Sequence, residues 1–481
     1  MTSALVPTSV PHATSVPHAK SVLPATSATA ATPATSATSA TSATSASSAT
    51  PATRNRAIDA YRAMAMCAVA VGHWLAADVR LNASGNLAGG NALDKLGSLH
   101  LLTWLFQVMP LFFCLGGFSN AASLDAHWRG GGTSPDWVRA RLRRLVAPAS
   151  WLAGVWLTVV GVSQITGVFR STVLDAAAVA AIPLWFLANY VADTALAPVT
   201  LRLFRSHRRA FCGSLLGVFL LAESTRFFHV HYVLQINIVL GWLLFQVLGF
   251  AWRDGLLPQP SKLVRFGLGS LVAAGALVAY GPWPLAMVSV PGSRFANTWP
   301  PSLALVFYGL GSCAMYIAAA PAVSRFLETH RRVWKAVVAA NSMTMTSYLW
   351  HFTALAIAAA ICAPLNLLPT APIGFGAWWL AKLPVMGIAL GVLAVLVLLL
   401  SGRERAGLLA AKAPDGRSAW HAGLAALVMA GGFEVWTSAT GDATRTLIGV
   451  VSVLAARGLV RVPRRSKYLQ SLESRECATA L

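Results

Sequence analysis

Two side chains able to handle protons and anions stand in the first strongly apolar segment of the chain. Arg62 and His73 lie eleven residues apart in the run from Asp59 to Trp74. An imidazole titrates near neutrality and can take a proton from a hydroxyl and return it to a leaving group. A guanidinium presents fixed donors to a carbonyl or phosphate oxygen. On an α-helix eleven steps turn about 1100°, within about 20° of three full turns. Both side chains therefore share one stripe, roughly 16 Å apart along the axis. Ionisable groups are costly in hydrocarbon and usually face protein or water. One group near each end of the hydrocarbon layer suits a reaction that joins the two sides of a bilayer.

The rest of the chain explains why such a segment is a membrane helix. Of 481 residues, 56% are hydrophobic and only 11% charged, and the mean hydropathy is +0.61. Apolar stretches of membrane-spanning length recur, so the sequence predicts an all-α, polytopic transmembrane bundle of about 10–12 helices. The expected spans are 57–77, 99–122, 145–166, 174–196, 210–222, 231–251, 264–286, 299–320, 336–362, 376–400, 419–439 and 446–461. A net charge of +21 reads here as orientation rather than nucleic-acid binding. With a cytoplasmic N-terminus, five inner loops hold twenty Lys and Arg and six outer loops hold six. That alternation follows the positive-inside rule and places both termini in the cytoplasm.

Residues 1–53 repeat Ser-Val-Pro-His-Ala at Ser9 and Ser15 and continue in Ala-Thr-Ser. They lack the apolar core of a signal peptide and read as a disordered tail. The expected layout is that tail, a core over 54–400, an extra helix pair over 401–462 and a basic cytoplasmic tail over 463–481. The six cysteines form no CxxC pair or Cys/His cluster, so no metal or disulfide framework is expected.

Several short stretches resemble acyltransferase family 3, the bacterial integral membrane acyltransferases. Arg56-x-x-Asp59-x-x-Arg62 followed by His73 is similar to the family's Arg-x10-His helix. Pro110-Leu111-Phe112-Phe113-Cys114-Leu115-Gly116-Gly117-Phe118 resembles its Phe-Phe-x-x-Ser-Gly-Phe, with Gly116 where Ser is usual. Arg141-x-x-Arg144 before Pro148 is like the basic run ahead of the third helix, and Leu184-Trp185-Phe186-Leu187 like its Leu-Trp-Phe-Leu. Ser347-Tyr348-Leu349-Trp350-His351 resembles a shortened form of its His-ending motif. The resemblance covers about 54–400, with the last helix pair outside it.

This resemblance implies transfer of an acyl group, most often acetyl, from acyl-CoA as co-substrate to a hydroxyl of a glycan, glycolipid or small molecule. It implies a multi-pass protein of the plasma membrane, with no bound cofactor. His73 is then the base or a transient acyl carrier; otherwise it is an interfacial histidine beside Trp74. Arg62 meets the donor or holds its helix; otherwise it snorkels to the interface. Asp59 and His351 are supporting candidates, Asp59 as an ion pair and His351 as a buried polar group. Arg141 and Arg144 suit donor phosphates, or answer the positive-inside bias. Glu223, Arg226, His229 and His231 line an acceptor entrance or form a solvated loop. Glu434 in the eleventh span has no assigned role. The rival reading is a twelve-helix secondary transporter, against which stand the loop Ser123–Thr133, unlike a carrier signature, and the lack of an internal repeat. No G-x-S-x-G nucleophile is placed for hydrolase-type chemistry.

Overall fold

The computed structural model describes residues 55–228, 231–290, 293, 295–409, 424, 428–429, 431–432 and 442–460. The Ser/Thr/Ala tail, His229, Glu434 and the tail from 463 lie outside these, as does most of the expected span 419–439.

Helix dominates, as the hydropathy predicts. Eight helical segments among the described residues are long and apolar enough to cross a membrane. The first helix, α1 (Arg56–Ala76), is not among the eight, because Asp59, Arg62 and His73 dilute its apolarity. At 21 residues it is still roughly 31 Å long, the thickness of the hydrocarbon layer. Its start is fixed by Asn55, whose side chain accepts from the amides of Ala57 and Ile58, satisfying two of the donors a helix leaves open.

The remaining elements follow in chain order. A hairpin of β1 (Ala77–Leu81) and β2 (Leu87–Asn91) leaves α1, and is the one sheet among the described residues. Short α2 (Ala92–Lys95) and α3 (Leu102–Phe106) lead to α4 (Met109–Arg129) and α5 (Ser134–Thr166). Then come α6 (Arg170–Ala181), α7 (Leu184–Ser206), α8 (Arg208–Ser224), α9 (His231–Leu234) and α10 (Asn237–Arg253). The chain continues through α11 (Pro260–Tyr280), α12 (Leu303–Thr329), α13 (Arg331–Cys362), α14 (Gly376–Leu409) and α15 (Ala443–Val460).

Three of the departures from the hydropathy reading matter most here. The span expected from 145 starts at Ser134, because Thr133 caps the helix and Pro135 occupies its first turn. Arg139, Arg141, Arg143 and Arg144 consequently sit on α5 and not in a loop. The span expected over 174–196 is two helices meeting at Ile182-Pro183, since proline lacks the amide that would continue the ladder. The stretch expected from 99 begins its long helix only at Met109.

Close approaches pin the bundle. A Cβ on Gly117 would lie 2.0 Å from the Gln246 carbonyl oxygen, and one on Gly249 2.1 Å from that of Cys114. Helices α4 and α10 thus meet backbone to backbone, a contact open only to glycine. The expected Glu223–Arg226 entrance is corrected. Both are buried, 3% and 6% exposed, and paired at 3.0 Å through two hydrogen bonds. Glu223 also accepts from Trp283 at 3.0 Å and from the amide of Leu303 at 3.2 Å. They tie the 281–302 loop to the bundle and cap α12, so they neither line an entrance nor sit in water.

Candidate active site

Helix α1 is held along its length. Asn341 of α13 donates to the Asp59 carbonyl at 2.7 Å. Trp74 donates its indole N–H to the His351 carbonyl at 3.0 Å. Beyond them Lys382 of α14 donates to the carbonyls of Leu75 and Ala77, each at 2.6 Å, satisfying acceptors that a helix end leaves open. Lys382 also sits over the Trp378 ring, 4.2 Å from its centre. The Trp378 indole N–H donates to Asp78 at 2.8 Å. Neither Lys382 nor Asp78 stood out in the sequence.

This scaffold brings His73 and His351 together. His73 Nδ1 and His351 Nε2 are 2.9 Å apart, and the two rings lie nearly parallel, 7° between planes. His351 is fully buried, and its Nδ1 is 2.6 Å from the Tyr348 carbonyl oxygen. A carbonyl can only accept, so His351 Nδ1 carries a proton. With both rings neutral, His351 Nε2 is then an acceptor and His73 Nδ1 must be the donor. The chain Tyr348 carbonyl, His351, His73 therefore leaves the lone pair on His73 Nε2. That atom can accept a proton or attack a carbon. Phe352 flanks both imidazoles, its centroid 4.8 Å and 4.5 Å from theirs. A narrow crevice lined by Trp74, Leu355, Pro369, Lys382 and Met386 opens one turn beyond the pair.

Arg62 faces a different neighbour. It donates to the Ser119 hydroxyl on α4, and its ion pair with Asp59 is 3.7 Å long. Arg141 reaches the same place from α5, donating to the Ser119 carbonyl at 3.4 Å and the Ser123 hydroxyl at 2.5 Å. Arg62, Arg144 and Tyr190 lie within electrostatic reach of Arg141, and Arg144 is exposed. Two cations, one from α1 and one from α5, thus meet at one turn of α4, with Arg144 one turn further along α5.

Aromatic rings separate the histidine pair from this cation cluster. Phe186 on α7 packs against Phe112, Phe113, Tyr190 and Tyr348, at centroid distances of 5.5, 5.2, 5.7 and 5.5 Å. Tyr348 donates to the Pro183 carbonyl at 2.6 Å, which fixes α7 to α13 below the imidazoles. The stretches around Phe112, Trp185 and Tyr348, apart in sequence, meet at this one ring.

The described residues thus form a helical membrane protein with a histidine pair, His351 buried and His73 half-buried, at one level of α1 and an arginine cluster three turns away. The chain belongs to acyltransferase family 3: the model of that family's acyltransferase domain matches residues 55–410, well over half of the sequence. No curated protein and no solved structure gives a match. Membership makes the chain a multi-pass membrane acyltransferase and sets the transporter reading aside.

Proposed function

We propose that the chain moves an acyl group, acetyl in the simplest case, from acyl-CoA to a hydroxyl of a glycan, glycolipid or small molecule at the plasma membrane. The observation that carries this reading is the contact of His73 Nδ1 with His351 Nε2, itself backed by the Tyr348 carbonyl, an arrangement that with both rings neutral leaves His73 Nε2 free to accept a proton. In direct transfer, His73 Nε2 takes the proton of the acceptor hydroxyl as its oxygen attacks the thioester carbon. The C–S bond then breaks, and the thiolate recovers that proton from the imidazolium. By the alternative route, Nε2 itself bonds the acyl carbon as the thiolate leaves; the acceptor oxygen then displaces the imidazole, and the hydroxyl proton passes to the freed Nε2 and from there to the thiolate. His351 acts through His73 in both, as a positioning residue.

Arg62 is three turns from His73, too far to meet the same carbonyl. It is assigned, with Arg141 and Arg144, to the phosphorylated arm of the donor, where guanidinium forks match phosphate oxygens. Asp59 tempers the charge of Arg62 from the preceding turn. Positive-inside bias favours a cytoplasmic Arg62 end, which puts donor entry on that side and His73 toward the opposite face.

The test compares wild type with His73→Ala at matched membrane abundance. Cells are fed labelled acetate, and envelope glycans and glycolipids are assayed for base-labile esters. The label is expected in wild type and reduced by roughly 10²–10⁴-fold in the variant, the range for a lost general base. Equal label in both would remove His73 from the chemistry.

A further inference from the structure

The position where the family usually carries Ser is Gly116 in this chain, and the structure gives the space a use. A Cβ built on Gly116 would lie 2.6 Å from Cε2 of Tyr190 and 3.1 Å from its hydroxyl oxygen. The first distance is closer than such atoms pack, so the phenol occupies the room that any side chain at 116 would need. Position 116 is one helical turn before Ser119, on the same face of α4. It therefore opens onto the turn where Arg62 and Arg141 converge. The Tyr190 ring is held from behind by Phe186, with planes 24° apart, and by Phe113 at 6.0 Å. Tyr190 is half-buried. Among the described residues its hydroxyl makes no hydrogen bond, although it lies within electrostatic reach of Arg141. Ser119 and Ser123, by contrast, are both engaged by arginines and by their own helix. A rigidly backed phenol with a free donor beside Arg141, itself next to Arg62, is a group arranged for an anionic or carbonyl oxygen that is not part of the protein.

We infer that Tyr190 is a donor-binding residue, its hydroxyl hydrogen-bonding an oxygen of the phosphorylated arm of the acyl donor between Arg62 and Arg141. It supplies, from α7, the hydroxyl that a serine at 116 would supply from α4, and Gly116 is what lets it in. This rests on the assignment of the cation cluster to the donor.

The experiment measures binding of acetyl-CoA to the full chain in lipid nanodiscs by calorimetry, with thermal unfolding as the control for fold. Tyr190→Phe keeps the ring and removes only the oxygen. Its affinity is expected to fall about tenfold or more, as for a lost hydrogen bond to a charged group. Unchanged affinity in a folded Tyr190→Phe overturns the inference. Absence of binding by wild type overturns the donor reading beneath it, a distinct result. A swap gives a second arm. Tyr190→Ala is expected to bind as weakly as Tyr190→Phe or worse. Adding Gly116→Ser to Tyr190→Ala should recover affinity to within about threefold of wild type, because the hydroxyl returns and the ring no longer opposes it. Gly116→Ser alone should weaken binding by forcing the phenol aside. A folded double variant that binds no better than Tyr190→Ala would refute the equivalence of the two hydroxyls.

Discussion

The two ends of the stripe on α1 are built on opposite plans. Around His73 the ring nitrogens facing inward are committed: His351 to the Tyr348 carbonyl, His73 to His351, Trp74 to the His351 carbonyl. The neighbourhood is buried and aromatic. Around Arg62 the groups are cationic and partly open, with Arg62 32% exposed at its side chain, Arg144 exposed and the Tyr190 hydroxyl unpartnered among the described residues. On the proposed mechanism the difference separates two tasks. A proton-transfer group needs one fixed tautomer and orientation, so its surroundings leave it a single free atom. A site for a charged arm needs donors that stay available until the ligand arrives, so its surroundings leave several.

The comparison can be broken at the buried end first. His351→Ala removes the acceptor that holds His73 Nδ1–H, and turnover is expected to fall roughly 10²-fold. The KM for acyl-CoA should stay unchanged. His351→Gln can present an amide oxygen near the position of Nε2, so it should recover most of that loss. If Gln and Ala are equally poor, the tautomer relay is not what His351 provides. At the open end the pattern should invert. Arg141→Ala should raise KM for acyl-CoA by roughly tenfold or more with a smaller change in kcat, and Arg141→Lys should fall between, having lost the fork but not the charge. A pure kcat effect would move Arg141 out of donor binding.

The smallest effect concerns Asp193 on α7. It is 1% exposed, and neither carboxylate oxygen has a hydrogen-bond partner among the described residues. Burying such a group without a partner is unfavourable. Asp193→Asn is therefore expected to raise the thermal midpoint by about a degree or more without loss of transfer. Loss of transfer in a well-folded Asp193→Asn would add an acid to the site and blur the contrast between its ends.

Much of this was legible in the chain because it rests on local periodicity. The apolar spans, the shared stripe of Arg62 and His73 and the family stretches are all short-range patterns. His351 was legible as a candidate but not as the partner of His73, since nothing local links residues 278 positions apart. The placement of Arg141 was half legible. Its charge reads as loop bias until Thr133 and Pro135 start α5 early. Tyr190 and Lys382 gave no signal, as a tyrosine or lysine in a long apolar helix acquires its meaning only from the helix opposite. Gly116 gave one, as a departure from a pattern, but its reason was a ring more than seventy residues away.

The pairing of α1 with α13 also has a consequence for how the protein is made. Ribosomes deliver the chain N-terminus first, so α1 enters the membrane with Asp59, Arg62 and His73 while the residues that receive them have yet to be translated. Asn341, His351 and Lys382 emerge some 280 to 310 residues later. Until then the polar stripe of α1 must be sheltered by insertion machinery, by water or by early arrivals such as Ser119 of α4. On the proposed mechanism, activity then waits for completion of synthesis, and a chain released before α13 is inserted is expected to be inert.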